Sequence, residues 1–385
     1  MANSKNYNNL SQVEPSLESK DYYCDETFEA ELKNVWYRSW IYAGRESEIA
    51  CQGDFKSLRI GSQNLLLVRN EHDQINGFHN TCRHRGSELC SEEQGNLKSK
   101  NISCPYHRWT YSLDGALIRT PHLIPTDDFR PEEYSLYPVS VKRWKGSLFV
   151  NLDESRLDSF DSSLDPSPNH LDNWPLEELV LVHSYEMKIL CNWKIFWENF
   201  VECYHCPGTH KSLCDMVPIY RRTFVSKKDE SGWEKHQDDA DPKFSGGLKN
   251  GAKSWTTDGQ LQGIQFSDLS ANEIQAGYTY LQSLPSVFIA AHSDYVRTVS
   301  LLPDGPEAIS LRVDWLLSKE SLNLEQFDLS KIVDFGVEIL KEDAEVCELN
   351  QRGVKSLSHK QGVLMPQEYD VVNFHKWLKS RFRAQ

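Results

Sequence analysis

Two short cysteine–histidine pairs restrict this chain more than any other feature in it. Cys82-Arg-His84 and Cys104-Pro-Tyr-His107 are separated by 19 residues. A fold that uses them together must bring two loops side by side. A structural zinc site normally pairs like with like, two cysteines and then two histidines. A single residue between Cys82 and His84 also suits poorly the binding of one tetrahedral ion by both. The order fits a [2Fe–2S] cluster in which each loop supplies one thiolate and one imidazole, with Cys82 and Cys104 on one iron and His84 and His107 on the other. A zinc ribbon and four unrelated buried residues are the competing readings, and the pairing of the loops weighs against both.

A second constellation lies downstream. Glu198-Asn-Phe-Val-Glu202-Cys-Tyr-His205-Cys-Pro-Gly-Thr-His210 carries two histidines five residues apart. On an unbroken helix their rings would diverge by about 140°. Pro207-Gly208 is expected to break the helix between them, so that both imidazoles converge. A third ligand has to come from elsewhere. The late helical segment has apolar residues at Ile332, Gly336, Ile339, Leu340, Val346 and Cys347, and Asp343 falls on that face. A carboxylate there needs a cationic partner. Two histidines and one carboxylate with open positions form the facial triad of a non-haem Fe(II) oxygenase.

The pattern of periodicities places these motifs. Apolar residues at helical spacing from Tyr22 to Tyr37 predict an opening helix. Short strands are expected at Ser57–Ile60, Asn64–Val68, Gln74–Phe78 and Gly146–Leu152, which makes 45–155 a small β domain after an N-terminal segment, 1–44, packed on the catalytic domain. Asp153 to Pro175 reads as a linker within a second domain, 156–385. There, a strand at Val180–Ile189 precedes a helix from Trp193 to Cys206, and 226–262 reads as a polar surface excursion. Strands follow over Ser286–Leu302 and Ala308–Leu317, joined by the turn-rich Pro303–Pro306, then a helix from Leu329 to about Gly353 and a closing segment, Trp377–Phe382.

Cys82-Arg-His84-Arg-Gly86 and Cys104-Pro-Tyr-His107-Arg-Trp109-Thr-Tyr111-Ser-Leu-Asp-Gly115 resemble the cluster-binding loops of Rieske proteins, those of aromatic-ring-hydroxylating and related oxygenases in particular. Asn199-Phe-Val-Glu202-Cys-Tyr-His205, His210 and Glu342-Asp343 with Cys347-Glu-Leu-Asn-Gln351-Arg-Gly353 are similar to the iron-site segments of their catalytic subunits. The resemblance implies an α+β chain: an N-terminal all-β Rieske [2Fe–2S] domain, then a catalytic domain of helix-grip type with an antiparallel sheet and helices. It implies His205, His210 and Asp343 as ligands of a mononuclear Fe(II). Glu202 matches the position of a carboxylate, usually Asp, that links this iron to the Rieske centre of a neighbouring subunit in a head-to-tail homotrimer. Glu at that position, together with Pro207-Gly-Thr-His210 and Leu284-Pro-Ser-Val-Phe-Ile-Ala-Ala-His-Ser-Asp-Tyr295, resembles the oxygenases of glycine betaine, choline, carnitine and proline betaine. The implied reaction is hydroxylation of an N-methyl group with loss of formaldehyde; an aromatic-ring dioxygenase component or a choline or carnitine monooxygenase is the alternative. An aromatic cage for a trimethylammonium head could draw on Phe266, Tyr278, Tyr280, Phe288 and Tyr295, although core packing explains most aromatic residues equally well.

Composition removes other classes. Forty-two Lys and Arg against 56 Asp and Glu give a formal charge of −14, which disfavours a nucleic-acid binder. No run of 18 apolar residues exists, and Met1-Ala-Asn-Ser-Lys-Asn-Tyr-Asn resembles no signal or transit peptide, so a cytoplasmic enzyme is expected. No G-x-G-x-x-G fingerprint occurs, so electrons are expected from a separate flavin- or ferredoxin-type reductase. Arg83, Arg85, Arg108 and Arg119 could form its basic dock or be solvated loop charge. Cys203 and Cys206 are read as packing residues beside His205, and His183 and His292 as core or surface histidines; His122 is assigned no role.

Overall fold

The computed structural model describes residues 7–124, 126–153 and 159–383. The chain divides into two compact units, one formed by residues 36–163 with 283–286, the other by the residues before Trp36 with 164–282 and 287 onward.

The smaller unit is built on a seven-stranded sheet in the order Ile41–Arg45, Ser147–Asn151, Pro138–Trp144, Ile75–His79, Gln63–Arg69, Asp54–Ile60, Gln94–Asn96. The Asp54–Ile60 and Gln63–Arg69 strands meet through the two-residue loop Gly61-Ser62, with Ile60 opposite Gln63. Gly61 has φ +54°, the left-handed geometry such a tight hairpin requires. A three-stranded sheet, Ile102–Ser103, Thr110–Tyr111 and Leu117–Arg119, carries the second Cys/His loop. Phe55, Leu66, Val68, Phe78, Trp109, Tyr111 and Leu136 share one core with Cys82 and Cys104. The cysteines are therefore fixed by packing before any metal is considered.

The larger unit has a five-stranded sheet in the order Val180–Ile189, Ile309–Leu317, Val296–Pro303, Val287–His292, Tyr278–Ser283. Helix α1 (Asp25–Asn34) and helix α2 (Trp193–Phe200) precede a 26-residue helix, α3 (Leu329–Val354), and a closing helix, α4 (Tyr369–Arg383). Asn192 caps α2 by accepting from the Lys194 amide, and Asp328 caps α3 through the Ser330 amide. On α3, Ile332, Phe335, Gly336, Ile339, Leu340, Ala344 and Cys347 are buried. Gly336 permits a close helix–sheet approach: a Cβ there would stand 3.0 Å from both Arg297 Nη1 and the Trp315 ring.

Three sequence expectations need correction. The helix from Trp193 ends at Phe200 rather than Cys206, and residues 201–204 leave helical geometry. The stretch 226–262 is not wholly superficial. Trp255 is buried and its carbonyl accepts from the Tyr295 hydroxyl at 2.7 Å. Nor is 153–175 a solvated linker where it is described. Phe160 packs edge-on against Trp40 and Phe149, and Leu171 and Trp174 are buried. Residues 154–158 of that stretch lie outside the described residues. In the last two cases a few large apolar side chains override a polar average composition. Among the described residues no helix is long and apolar enough to cross a membrane.

Helix α1 is tied to α2 by a buried ion pair: Lys194 Nζ donates to Glu31 at 2.6 Å and Trp193 Nε1 to the other carboxylate oxygen at 2.8 Å. Truncating one partner strands the other charge. Glu31→Ala is expected to lower unfolding stability by about 3–5 kcal/mol, whereas Glu31→Leu with Lys194→Met should recover most of it; denaturant titration of the three proteins checks this.

Candidate functional site

The two Cys/His loops share one backbone plan. The Gly86 amide donates to Cys82 O at 3.0 Å and the Cys82 amide to Ser87 O at 2.8 Å; Arg108 donates to Cys104 O at 3.1 Å and Cys104 to Trp109 O at 2.8 Å. Each loop turns through a left-handed residue four places after its cysteine, Gly86 at φ +74° and Arg108 at φ +60°. The unequal Cys–His spacings therefore fit into loops of equal length. Both thiols are buried, while His84 and His107 stand at the exposed rim with ring centroids 4.7 Å apart. His84 stacks on Trp109 at 4.9 Å. The Tyr111 hydroxyl lies 3.3 Å from Cys82 Sγ and accepts from the Arg83 amide at 3.1 Å. Burial pushes the Cys82 thiol pKa up, with the Tyr111 hydroxyl opposing it. Two thiols inside and two imidazoles outside are the donor set that a [2Fe–2S] cluster of this type needs. Of the four arginines nearby, Arg83 is committed to structure: it donates to Ser135 O and to Glu133 O and lies over the Tyr137 ring at 4.0 Å.

In the larger unit, His205, His210 and Asp343 come together. His210 Nε2 lies 2.9 Å from Asp343 Oδ1 and 3.2 Å from His205 Nε2, and the third edge, His205 Nε2 to Asp343 Oδ1, is 3.5 Å. With metal–ligand bonds of about 2.1 Å, ligands at right angles lie about 3.0 Å apart and opposed ones about 4.2 Å. All three edges fall below the opposed value, so the three atoms can hold one ion from one side and leave its other positions free. Convergence does not arise as the sequence suggested. Pro207 stands in the first turn of a short helix, Cys206–Thr209, where proline is tolerated, and the chain breaks on either side, at 201–204 and at His210 (φ −111°, ψ 81°).

Each imidazole is oriented by a carboxylate on its outer nitrogen. His205 Nδ1 donates to Glu202 at 2.6 Å and His210 Nδ1 to Glu342 at 2.8 Å, leaving both Nε2 atoms directed at Asp343. Burial would lower the His205 pKa, but Asp343 and Glu202 on its two sides outweigh it and push it up to about 10. Burial likewise opposes ionisation of Asp343, yet the two imidazoles hold its pKa below the usual carboxylate range. A field that favours an extra proton on these rings also favours a divalent cation. Sequence reasoning gave Glu342 no role; its only signal was adjacency to Asp343, and neighbouring helical residues diverge by about 100°.

Cys203 and Cys206 are joined by a disulfide across the turn that holds His205, rather than acting as separate packing residues. The turn 203–206, closed by the Cys206 amide donating to Cys203 O at 3.3 Å, brings their side chains together.

Of the aromatic candidates, Tyr278 and Tyr280 lie 5.7 Å apart, Tyr280 and Phe288 6.4 Å, and Trp255 approaches Tyr278 at 4.9 Å. Phe200, at the end of α2, stacks on Phe288 at 3.6 Å. Tyr295 joins through His292, on which it stacks at 4.3 Å, with Trp255 5.2 Å from the same imidazole. Phe266 makes no ring contact with this cluster among the described residues. Trp255, Phe200 and Tyr220, which sequence reasoning missed, belong to it. The Tyr280 hydroxyl pKa is pushed up to about 12, first by burial and also by the Asp343 charge, which connects the cluster electrostatically to the His/Asp site.

Residues 39–130 match the Rieske [2Fe-2S] domain, and residues 176–384, more than half of the chain, match the ring hydroxylating alpha subunit (catalytic domain). The chain belongs to the ring-hydroxylating alpha-subunit family. It is an enzyme of the Rieske non-haem iron monooxygenase type, with a [2Fe–2S] cluster and a mononuclear iron as cofactors, in the α+β fold expected. Members of this family take a small-molecule substrate and work with a separate reductase component. The chain is 29% identical to the glycine betaine monooxygenase oxygenase subunit of Pseudomonas aeruginosa, over 94% of this chain and 87% of the relative. It is 26% identical to the carnitine monooxygenase oxygenase subunit of Acinetobacter baumannii, over 89% and 86%. Among solved structures, the quaternary ammonium Rieske monooxygenase CntA with L-carnitine superposes with TM-score 0.71 at 21% identity, covering 96% of both chains. Naphthalene 1,2-dioxygenase from Rhodococcus sp. gives 0.72 at 19%, covering 95% and 94%.

Loss of an outer carboxylate should loosen metal without removing a ligand. Glu342→Ala is expected to weaken mononuclear-iron retention about 10- to 100-fold, and Glu342→Gln less, measured as iron remaining after dialysis against a chelator. Differential alkylation followed by peptide mass spectrometry should find Cys203 and Cys206 labelled only after reduction.

Proposed function

We propose that this enzyme hydroxylates an N-methyl group of a quaternary ammonium compound of betaine type, and that the resulting carbinolamine collapses to formaldehyde and the demethylated amine. The observation that carries this reading is the aromatic cluster electrostatically linked to the His/Asp site. Tyr220, Trp255, Tyr278, Tyr280 and Phe288 gather several π-faces there, and such faces attract a cation that offers no hydrogen bond. The names of the glycine betaine and carnitine relatives support the same substrate class.

Within this reading Cys82 and Cys104 hold one cluster iron, His84 and His107 the other, and His205, His210 and Asp343 the mononuclear Fe(II). When bound, these centres supply the electrons and the reductive activation of O2. The chain's own residues do the rest. Burial keeps the Tyr278 and Tyr280 phenols protonated, so the cage stays uncharged. Glu202 fixes the His205 ring through Nδ1 and is the carboxylate by which electrons would pass from a neighbouring subunit's Rieske histidine in a homotrimer. A separate flavin- or ferredoxin-type reductase feeds the cluster, and the enzyme works in the cytoplasm.

The test is NADH-, reductase- and O2-dependent formaldehyde release across methylated ammonium compounds. Formaldehyde in step with substrate loss is the expected result; a cis-diol from an arene without formaldehyde would sink the reading. His205→Ala should abolish turnover, keep the cluster's visible absorption and lower iron from about three to about two per chain.

A further inference from the structure

Four lysine and arginine side chains are buried among the described residues: Arg45, Arg69, Lys194 and Arg297. Three have partners. Arg45 donates to Lys145 O at 3.0 Å, Arg69 pairs with Glu46 at 3.1 Å, and Lys194 pairs with Glu31. The side chain of Arg297, only 6% exposed, makes no hydrogen bond or ion pair among the described residues, and its Nε is fully buried. An unpaired guanidinium out of water is costly, so its position asks for an anion.

Among the described residues no carboxylate pairs with it, and several groups around it are unpartnered as well. Arg297 lies opposite Trp315 and Ala290 in the sheet, on the face covered by α3 at Gly336. The Trp315 and Trp255 indole nitrogens and both His292 ring nitrogens are buried without partners as well. The Arg297 charge is felt at the Tyr280 and Tyr295 hydroxyls and at the His292 ring, so the guanidinium borders the aromatic cluster. Gly336, against which it packs, precedes Asp343 by seven residues on α3, a rise of about 10 Å. The Tyr280 hydroxyl feels both the Arg297 and the Asp343 charges, so a zwitterion lying against that ring has one charged group toward each end.

We propose that Arg297, with His292 beside it, is an anion subsite that takes the carboxylate of a zwitterionic ammonium carboxylate, so that the enzyme prefers betaines to ammonium alcohols. This rests on the ammonium reading given above for the other end of the substrate. The guanidinium fork suits a carboxylate bidentately, which a hydroxyl cannot match.

Titration calorimetry on the iron-loaded protein tests it, with glycine betaine and γ-butyrobetaine as ammonium carboxylates, choline as the alcohol, and 3,3-dimethylbutanoate as a carboxylate without the cation. At least one betaine should bind about tenfold or more tightly than choline, which needs no variant. Arg297→Gln should weaken that betaine by about tenfold or more and choline by less than about threefold. Arg297→Lys should fall between. Choline binding as tightly as every betaine, or Arg297→Gln weakening both equally, would overturn the subsite while leaving the ammonium reading intact. Binding of 3,3-dimethylbutanoate alone, lost in Arg297→Gln, would overturn the ammonium reading and keep the subsite. Absence of binding by all four would overturn both.

Discussion

Asp343 puts a carboxylate on a helix face otherwise given to Ile339, Leu340, Ala344 and Cys347, and the larger unit is organised around partnering it. The carboxylate is tolerable there only because two imidazoles meet it at 2.9 and 3.5 Å. Those imidazoles can meet it only if residues 201–204 leave the helix that ends at Phe200 and if α3 lies close on the sheet. The second condition falls on Gly336, where one methyl group would stand 3.0 Å from both Arg297 and Trp315. A requirement at one atom thus fixes a helix end, a short turn and a helix–sheet spacing.

The two metal-binding constellations solve opposite electrostatic problems. Around His205 and His210 the outer nitrogens face Glu202 and Glu342, so negative charge backs both rings. This strengthens imidazole as a donor and suits an ion that must keep open positions. At the rim of the smaller unit, His84 stacks on Trp109, and no carboxylate is hydrogen-bonded to either histidine ring among the described residues. The thiols sit inside among apolar side chains and the imidazoles outside, so a cluster held by these four residues would have its histidine side toward solvent.

Residue chemistry and spacing made much of this legible. Cys82, His84, Cys104 and His107 announced themselves because two soft–borderline pairs at close spacing have few other uses, and Asp343 because a carboxylate on an apolar stripe demands a partner. What stayed hidden depended on contacts between distant residues. Glu342 looks like one more helix-surface acid until His210, 132 residues earlier, reaches it. Trp255 sits in a polar stretch whose average masks it. The role given to Pro207 was reversed for a local reason: proline breaks a helix from within but starts one from its first turn, and sequence alone does not say which position it holds.

Charge distribution gives the proposed substrate site a direction. Glu202, Glu342 and Asp343 surround the position of one divalent ion, leaving one net negative charge at that end, while the Arg297 guanidinium stands unneutralised at the other. The Tyr278 and Tyr280 phenols stay protonated, and the Tyr280 hydroxyl feels both the Asp343 and the Arg297 charges. A zwitterion in such a field has one favoured orientation, ammonium toward the carboxylates and carboxylate toward the arginine, and inverting it would place like charges together at both ends. In the proposed reaction the same orientation would carry an N-methyl group, rather than the chain's other carbons, toward His205, His210 and Asp343. Regioselectivity would then arise from two charges on opposite sides of an uncharged aromatic lining, with no need for a shape that excludes every wrong pose.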